Sequence, residues 1–258
     1  MRACEFTMRH YREILDKTRK IHQIVPFCQL SFRKKKKYQV LLRHDIDNSL
    51  HNALEMARCE KELGVKATYF VQLHCDDYPA GSAEGVRIIR ELRDLGHEIG
   101  LHYDPSYYTA IEKSFGDGIK SDLRDLSEIA GRPVVSVSPH LPLLHGQEER
   151  MPGSVKYRAM DPVFVNGEYK YLSDSNGVFR EGCFCTHLTN RRNYCFLVHP
   201  VWWTTEGSRW QEKMVSQAEL GCLVVRGRYR AKIDLYESIM KKRNEYDKRF
   251  AEMLKGRK

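Results

Sequence analysis

From Val40 onward, short apolar runs alternate with longer stretches whose apolar residues recur every three or four positions. These two periods distinguish buried strands from amphipathic helices. Val40-Leu41-Leu42 runs into Arg43-His44-Asp45-Ile46-Asp47, a strand delivering polar residues at its C-terminal end, and Asn48 can cap the helix after it. Leu50, Ala53, Leu54, Ala57 and Leu63 make a helical stripe closed by Gly64, after which residues 67–71 are β-branched and aromatic. A second helix carries Val86, Ile89, Leu92 and Leu95, stops at Gly96 and leads into a strand ending on His102. A third, with Ile119, Leu123, Leu126 and Ile129, stops at residues 131–133, before the strand 134–138. Four strands with intervening helices predict an α/β fold: a parallel sheet closed or nearly closed into a barrel, with functional groups at the C-terminal strand ends. Asp45, Asp47, His102 and His140 all fall at such ends. Beyond Leu144 the alternation is irregular until the apolar run 194–198 ends on His199-Pro200. Residues 226–255 predict a C-terminal amphipathic helix, with Tyr229, Ile233, Tyr236, Met240 and Phe250 on one face, covering the barrel.

The 258 residues suit one domain, 1–258, with its core at about 38–205. No apolar run approaches the ~20 residues of a bilayer span. The opening Met-Arg-Ala-Cys-Glu-Phe-Thr-Met-Arg-His lacks the pattern of a secretory signal, so a cytoplasmic location is expected. Eight cysteines without regular spacing fit free thiols in a reducing compartment better than a disulfide framework. Cys183, Cys185, His187 and Cys195 raise the question of a cysteine-bound metal. Cys-x-Cys, however, lacks the spacing of a zinc ribbon, and alternation along a strand accounts for it. The net charge of +9 (43 basic minus 34 acidic residues) is densest at Arg33, Lys34, Lys35, Lys36 and Lys37. That run reads as a solvated loop, and no nucleic-acid partner is expected.

Two carboxylates at i and i+2 share a strand face and repel each other, so a cation is expected beside Asp45 and Asp47. An imidazole from a neighbouring strand end, here His102, is the usual nitrogen ligand of a zinc-like ion. Alone, Asp-x-Asp can equally be a turn or a helix cap. The ordered set carries more weight: Arg43-His44-Asp45-Ile46-Asp47, Ala67-Thr68-Tyr69-Phe70, Gly96-His97-Glu98-Ile99-Gly100-Leu101-His102-Tyr103-Asp104, Ser138-Pro139-His140 and Leu197-Val198-His199-Pro200. Together, over roughly residues 5–205, these resemble the polysaccharide deacetylase superfamily, carbohydrate esterase family four in the broad sense. Within it the chain looks like a divergent, signal-less branch associated with surface-polysaccharide biosynthesis, where segments like Tyr171-Leu172-Ser173-Asp174-Ser175 and His199-Pro200-Val201-Trp202-Trp203 recur.

The resemblance implies a distorted (β/α) barrel with Asp45 as general base, Asp47 and His102 as metal ligands, and His199 as general acid. The family's third ligand is a histidine four residues after the second, a position held here by Ser106. His140, Asp104 or water could take its place, and His140 is preferred because imidazole is the commoner zinc ligand. The family's arginine after this histidine is Leu141 here, so a partner for the base must come from elsewhere, with Arg43 the candidate. Arg43, Tyr103, Asp104, Asp174, Trp202 and Trp203 are candidates for substrate contact, the tryptophans by stacking on a sugar ring. His97, at the start of its strand, is expected to be structural, and His44 to face away from the site. The implied activity is that of a metal-dependent hydrolase acting on a non-peptide C–N bond. It would remove an acyl group, expected to be acetyl, from an amino sugar, and the missing signal pattern points to a cytoplasmic one, for instance a nucleotide-linked or lipid-linked amino sugar. Zinc is the expected metal, with cobalt or nickel as substitutes. The rival readings are hydrolysis of a formyl group or ring amide, and a non-catalytic saccharide-binding protein that has lost its metal.

Overall fold

The computed structural model describes residues 4–30, 38–141, 151–188 and 192–255, with side chains to residue 245. The lysine-rich run 33–37 lies outside them. Among the described residues eight strands form one parallel sheet: β1 (Gln23–Val25), β2 (Gln39–Ile46), β3 (Thr68–Val71), β4 (Glu98–Tyr103), β5 (Ser136–Pro139), β6 (Tyr157–Arg158), β7 (Tyr169–Ser173) and β8 (Asn193–Val198). Their order is β6-β5-β4-β3-β2-β8-β7, with β1 pairing the N-terminal half of β2 beside β3. Among the described residues no ladder joins β6 to β7, so the (β/α) barrel is distorted and open there.

The helices follow from local signals. Helices α2 (Leu50–Glu62), α3 (Ala83–Asp94) and α5 (Phe115–Ala130) each begin on a serine whose hydroxyl accepts the backbone N–H three residues on: Ser49, Ser82 and Ser114. Asn48, the expected cap of α2, instead donates its side-chain amide to Asp77 at 2.9 Å. A hydroxyl one residue later closes the first turn better. Before the barrel stands α1 (Met8–Ile21). The short α4 (Pro105–Ala110), α6 (Pro162–Val165) and α7 (Pro200–Thr204) each start on a proline, whose fixed φ suits the first helical turn.

Strand β2 runs further than its apolar residues suggest. It continues through Arg43, His44 and Asp45 to Ile46, paired with β3 on one side and, as far as His44, with β8 on the other. Its polar residues are therefore inside the sheet, not beyond it. Alternation sends Leu41, Arg43 and Asp45 into the barrel and His44 towards the helices. In β4, position 100 must be glycine, because a Cβ there would lie 2.5 Å from the Phe70 ring. The irregular stretch after Leu144 contains β7, which pairs β8 from Tyr169↔Asn193 to Ser173↔Leu197 and so brings Asp174 beside His199.

The chain divides into two compact units, Met1–Lys213 and Met214–Lys258. The second is most of one 46-residue helix, α8 (Trp210–Lys255), which begins well before residue 226. No helix among the described residues is long and apolar enough to cross a membrane.

Candidate active site

The C-terminal ends of β2, β4, β5 and β8 converge. Asp45, near the end of β2, is gripped by Arg43 two residues earlier on the same face: Nη2 donates to Oδ2 at 2.6 Å and Nε to Oδ1 at 3.3 Å. Ser138 completes the grip, accepting from Arg43 Nη2 at 2.7 Å and donating to Asp45 Oδ2 at 3.1 Å. Arg43 also donates to the Ala159 carbonyl at 3.2 Å and is only 1% exposed, so its guanidinium faces Asp45 and not solvent. Burial is the strongest influence on Asp45 and would raise its pKa, but Arg43, then His102 and His199, bring it below the ordinary carboxylate value. The result is a buried carboxylate kept ionised.

Asp47 follows on the same face beyond the strand end, with its side chain 27% exposed. His102 Nε2 lies 3.1 Å from Asp47 Oδ1, and His140 Nδ1 lies 3.2 Å from that nitrogen and 3.6 Å from that oxygen. The three donor atoms fall within 4.8 Å of one another. His102 Nδ1 is 3.0 Å from the Ser138 carbonyl oxygen, which can only accept. Nδ1 therefore donates to that carbonyl, which leaves Nε2 as the ring nitrogen that faces the cluster and could ligate an ion. One carboxylate oxygen and two imidazole nitrogens, partly open to solvent, fit a zinc-like divalent ion with a free coordination position. Without an ion, burial weighs most on Asp47 and would raise its pKa, yet the contacts from His102, His140 and His199 hold it far below the carboxylate range. Burial lowers the pKa of His140, and Asp47 outweighs that, raising it.

Of the three candidates to replace the ligand missing at Ser106, His140 sits within the cluster because β4 and β5 pair with His102 opposite Ser138. Asp104 turns to α4, accepting from the Ser106 N–H at 2.8 Å and from its hydroxyl at 2.6 Å. Leu141, immediately after His140, adopts φ 45°, a left-handed conformation that a branched residue rarely takes.

His199 ends β8 across from these residues, its Nε2 3.7 Å from Asp47 Oδ2. Asp174, fully buried at the end of β7, accepts from His199 Nδ1 at 2.6 Å and from its backbone N–H at 3.0 Å, and from Trp203 Nε1 at 2.7 Å. Burial is again the leading influence and would lower the pKa of His199, but Asp174, followed by Asp47 and Asp45, pushes it up to about 9. Asp174 and Trp203 thus lie behind His199. Tyr103 is buried against Phe115, and Trp202 is 8% exposed with its ring against Gly177. His97 and His44 lie on the opposite side of the sheet around Glu60.

Ser138 is a site residue that the sequence pattern does not single out, although a signal exists: it precedes His140 by two residues, as Arg43 precedes Asp45, and so shares its face. The Cys183 region is a correction. It is not an alternating strand but a 3-10 turn, Phe184–Thr186, capped by Cys183. Both thiols then come to one side, where they meet Cys4 and His10.

No family model matches the chain, and no curated protein matches it. Among solved structures it is similar to a polysaccharide deacetylase from Bacillus cereus, at 14% identity over 70% of this chain and 86% of that one, with a TM-score of 0.45. It is also similar to the chitin deacetylase of the fungus Colletotrichum lindemuthianum, at 19% identity over 70% of this chain and 82% of that one, TM-score 0.41. A third likeness is to a CE4 family pseudoenzyme from Bacillus anthracis, at 13% identity over 73% of this chain and 63% of that one, TM-score 0.41.

Proposed function

We propose that the chain is a metal-dependent hydrolase that removes an acetyl group from an amino sugar. The observation that carries this reading is the juxtaposition of two differently used carboxylates. Asp45 is held by Arg43 and Ser138, chiefly through Oδ2, while Asp47 faces three imidazoles and solvent. Asp47, His102 and His140 would hold the ion. A divalent ion held there supplies Lewis-acid polarisation of an acyl oxygen and lowers the pKa of water towards ~7. Asp45 accepts the proton of the attacking water, and Arg43 keeps its carboxylate ionised and fixed in place. His199 stands on the other side of Asp47 with its Nδ1 proton given to Asp174, so its Nε2 is the atom turned to the site. From there it delivers a proton to the amine as the C–N bond breaks, and acetate and a free amino sugar leave. Arg43, Asp174 and Trp203 act by holding Asp45 and His199. Asp104, Tyr103 and Trp202 remain the candidates for contact with the sugar.

The chain's basic charge favours a substrate that carries phosphate, such as a nucleotide- or lipid-linked amino sugar, and a cytoplasmic site of action agrees with either. The test is release of acetate from free, nucleotide-linked and lipid-linked N-acetylated sugars, with zinc, cobalt or nickel supplied. Acetate release that needs the ion and vanishes in Asp47→Ala is expected. Formate or a ring-opened product would favour the other amides. Saccharide binding without hydrolysis under any ion would make the protein a binding module.

A further inference from the structure

A second group of metal-binding side chains lies apart from the barrel mouth and takes no part in the chemistry above. Cys4 precedes α1, His10 is in its first turn, and Cys183 and Cys185 flank Phe184 on the 3-10 turn. Cys4 Sγ is 3.5 Å from Cys185 Sγ, His10 Nε2 is 3.2 Å from Cys183 Sγ, and all four donor atoms lie within 4.8 Å of one another. Around a tetrahedral zinc, bond lengths of ~2.3 Å to sulfur and ~2.0 Å to nitrogen place sulfurs ~3.8 Å apart and sulfur and nitrogen ~3.5 Å apart. The four atoms are already close to that arrangement.

The surroundings fit as well. The other ring nitrogen of His10, Nδ1, lies 3.6 Å from Glu13 Oε2, a carboxylate placed where a ligating imidazole takes its outer partner. The Cys185 backbone N–H is turned to the Cys183 sulfur, and Lys17, two turns along α1, is near enough to act on the charge of Cys185. Three thiolates around a divalent ion leave a net negative charge, which these groups offset. The set is soft where Asp47, His102 and His140 are harder, so the two sites differ in the ions they prefer.

We propose that Cys4, His10, Cys183 and Cys185 bind one zinc-like ion in a closed tetrahedral site that fastens the N-terminal segment to the turn after β7. Two sets of ring contacts give this site its structural weight. Phe6 and His10 on one segment, and Phe179 and Phe184 on the other, surround Trp203, whose indole N–H holds Asp174. The ion would clamp both sides of that tryptophan and so steady His199 from behind.

The reduced, metal-free wild-type protein titrated with cobalt(II) gives the direct test. Thiolate ligation produces an intense near-ultraviolet charge-transfer band and strong tetrahedral visible bands, neither of which a carboxylate–imidazole site supplies. Both are expected in the wild type and in Asp47→Ala, and both are expected to be lost in Cys183→Ser and in His10→Ala/Cys185→Ser. Asp47→Ala separates the two sites, since failure of the barrel-mouth site would leave these bands intact. Should the cysteine variants not fold, alkylation of the wild type answers instead. Zinc is expected to protect Cys4 and Cys185 while exposed Cys222 stays reactive. A cobalt spectrum without the charge-transfer band, alkylation of Cys4 and Cys185 undiminished by zinc, or a Cys4–Cys185 disulfide that persists in reducing buffer with zinc overturns the proposal.

Discussion

Carboxylate–histidine clusters lie on both sides of the sheet at β2, one sealed and one open to solvent. On the helix side, Glu60 of α2 receives Tyr11, His44 Nε2 at 2.7 Å and Tyr69 at 2.9 Å, with His97 at 3.4 Å, and no part of it reaches solvent. On the barrel side, the Asp47 carboxylate meets only imidazoles among the described residues and leaves about a quarter of its side chain open. In the sealed cluster protein partners engage the Glu60 carboxylate on both oxygens, although the buried His44 Nδ1 has no hydrogen-bond partner among the described residues. The open one keeps one carboxylate oxygen and two imidazole nitrogens within 4.8 Å of one another at a place a cation can reach. Histidines around a carboxylate are therefore not a site by themselves. What distinguishes the site is a carboxylate and imidazoles gathered where solvent can enter.

The sharpest way to break this comparison is Asp45→Asn. It removes the proposed base and is expected to lower kcat/KM by ~10³-fold while metal content stays unchanged. It also leaves Arg43 buried without a countercharge, so urea denaturation is expected to show a loss of ~3 kcal/mol. A variant that keeps a tenth or more of the activity would remove Asp45 from the role of base.

Glu60→Gln tests the sealed side. Removing the charge from a fully buried acid with histidine and tyrosine partners is expected to cost ~3 kcal/mol of stability, with kcat per folded molecule unchanged. The pH dependence carries the same signature. The pKa of Glu60 is lowered in the folded protein: burial would raise it, but His44, His97 and Tyr11 prevail. The pKa of His97 is lowered too, chiefly by burial. Both groups therefore bind protons more readily when unfolded, so both stabilise the fold at higher pH. The His97 contribution is lost as pH falls below ~6.5 and that of Glu60 as it falls below ~4.3. In Glu60→Gln the second loss should disappear while the first remains, as read from denaturation midpoints across the acid range. A variant with wild-type acid sensitivity below ~4.3 would show that Glu60 is not the acid-labile group.

Much of this is legible in the sequence where local periodicity governs. The strands and helices from Val40 to His102 follow from apolar spacing, and the shared face of Asp45 and Asp47 follows from the period of a strand. His140 is legible as a strand-end residue, but its contact with His102 is not, because that depends on the pairing of Leu101, His102 and Tyr103 with Val137, Ser138 and Pro139, a register that no short segment encodes. Asp174 stands out in the sequence as a candidate site residue but not as the partner of His199. That contact needs β7, a strand hidden in a stretch whose Tyr, Lys and Ser residues mask its alternation. The Cys183-Phe184-Cys185 segment misleads for a local reason: alternating thiols look like a strand, and only the packing of α1 against the turn shows that they share a side.

Asp104→Ala is the smallest and most discriminating change. Asp104 lies one residue after β4, close to the cluster, and a carboxylate there could replace the ligand missing at Ser106. Its oxygen Oδ1 instead accepts both the N–H and the hydroxyl of Ser106 and caps α4. A cap is worth ~1 kcal/mol, so the variant is expected to lose about that much stability and to keep its full metal content by elemental analysis. His140→Ala is expected to do the reverse, losing metal while the fold holds, since the side chain it removes is partly exposed. If Asp104→Ala loses the ion and His140→Ala keeps it, the third ligand comes from the loop after β4. The two histidines, 3.2 Å apart, would then be a hydrogen-bonded pair rather than a metal site.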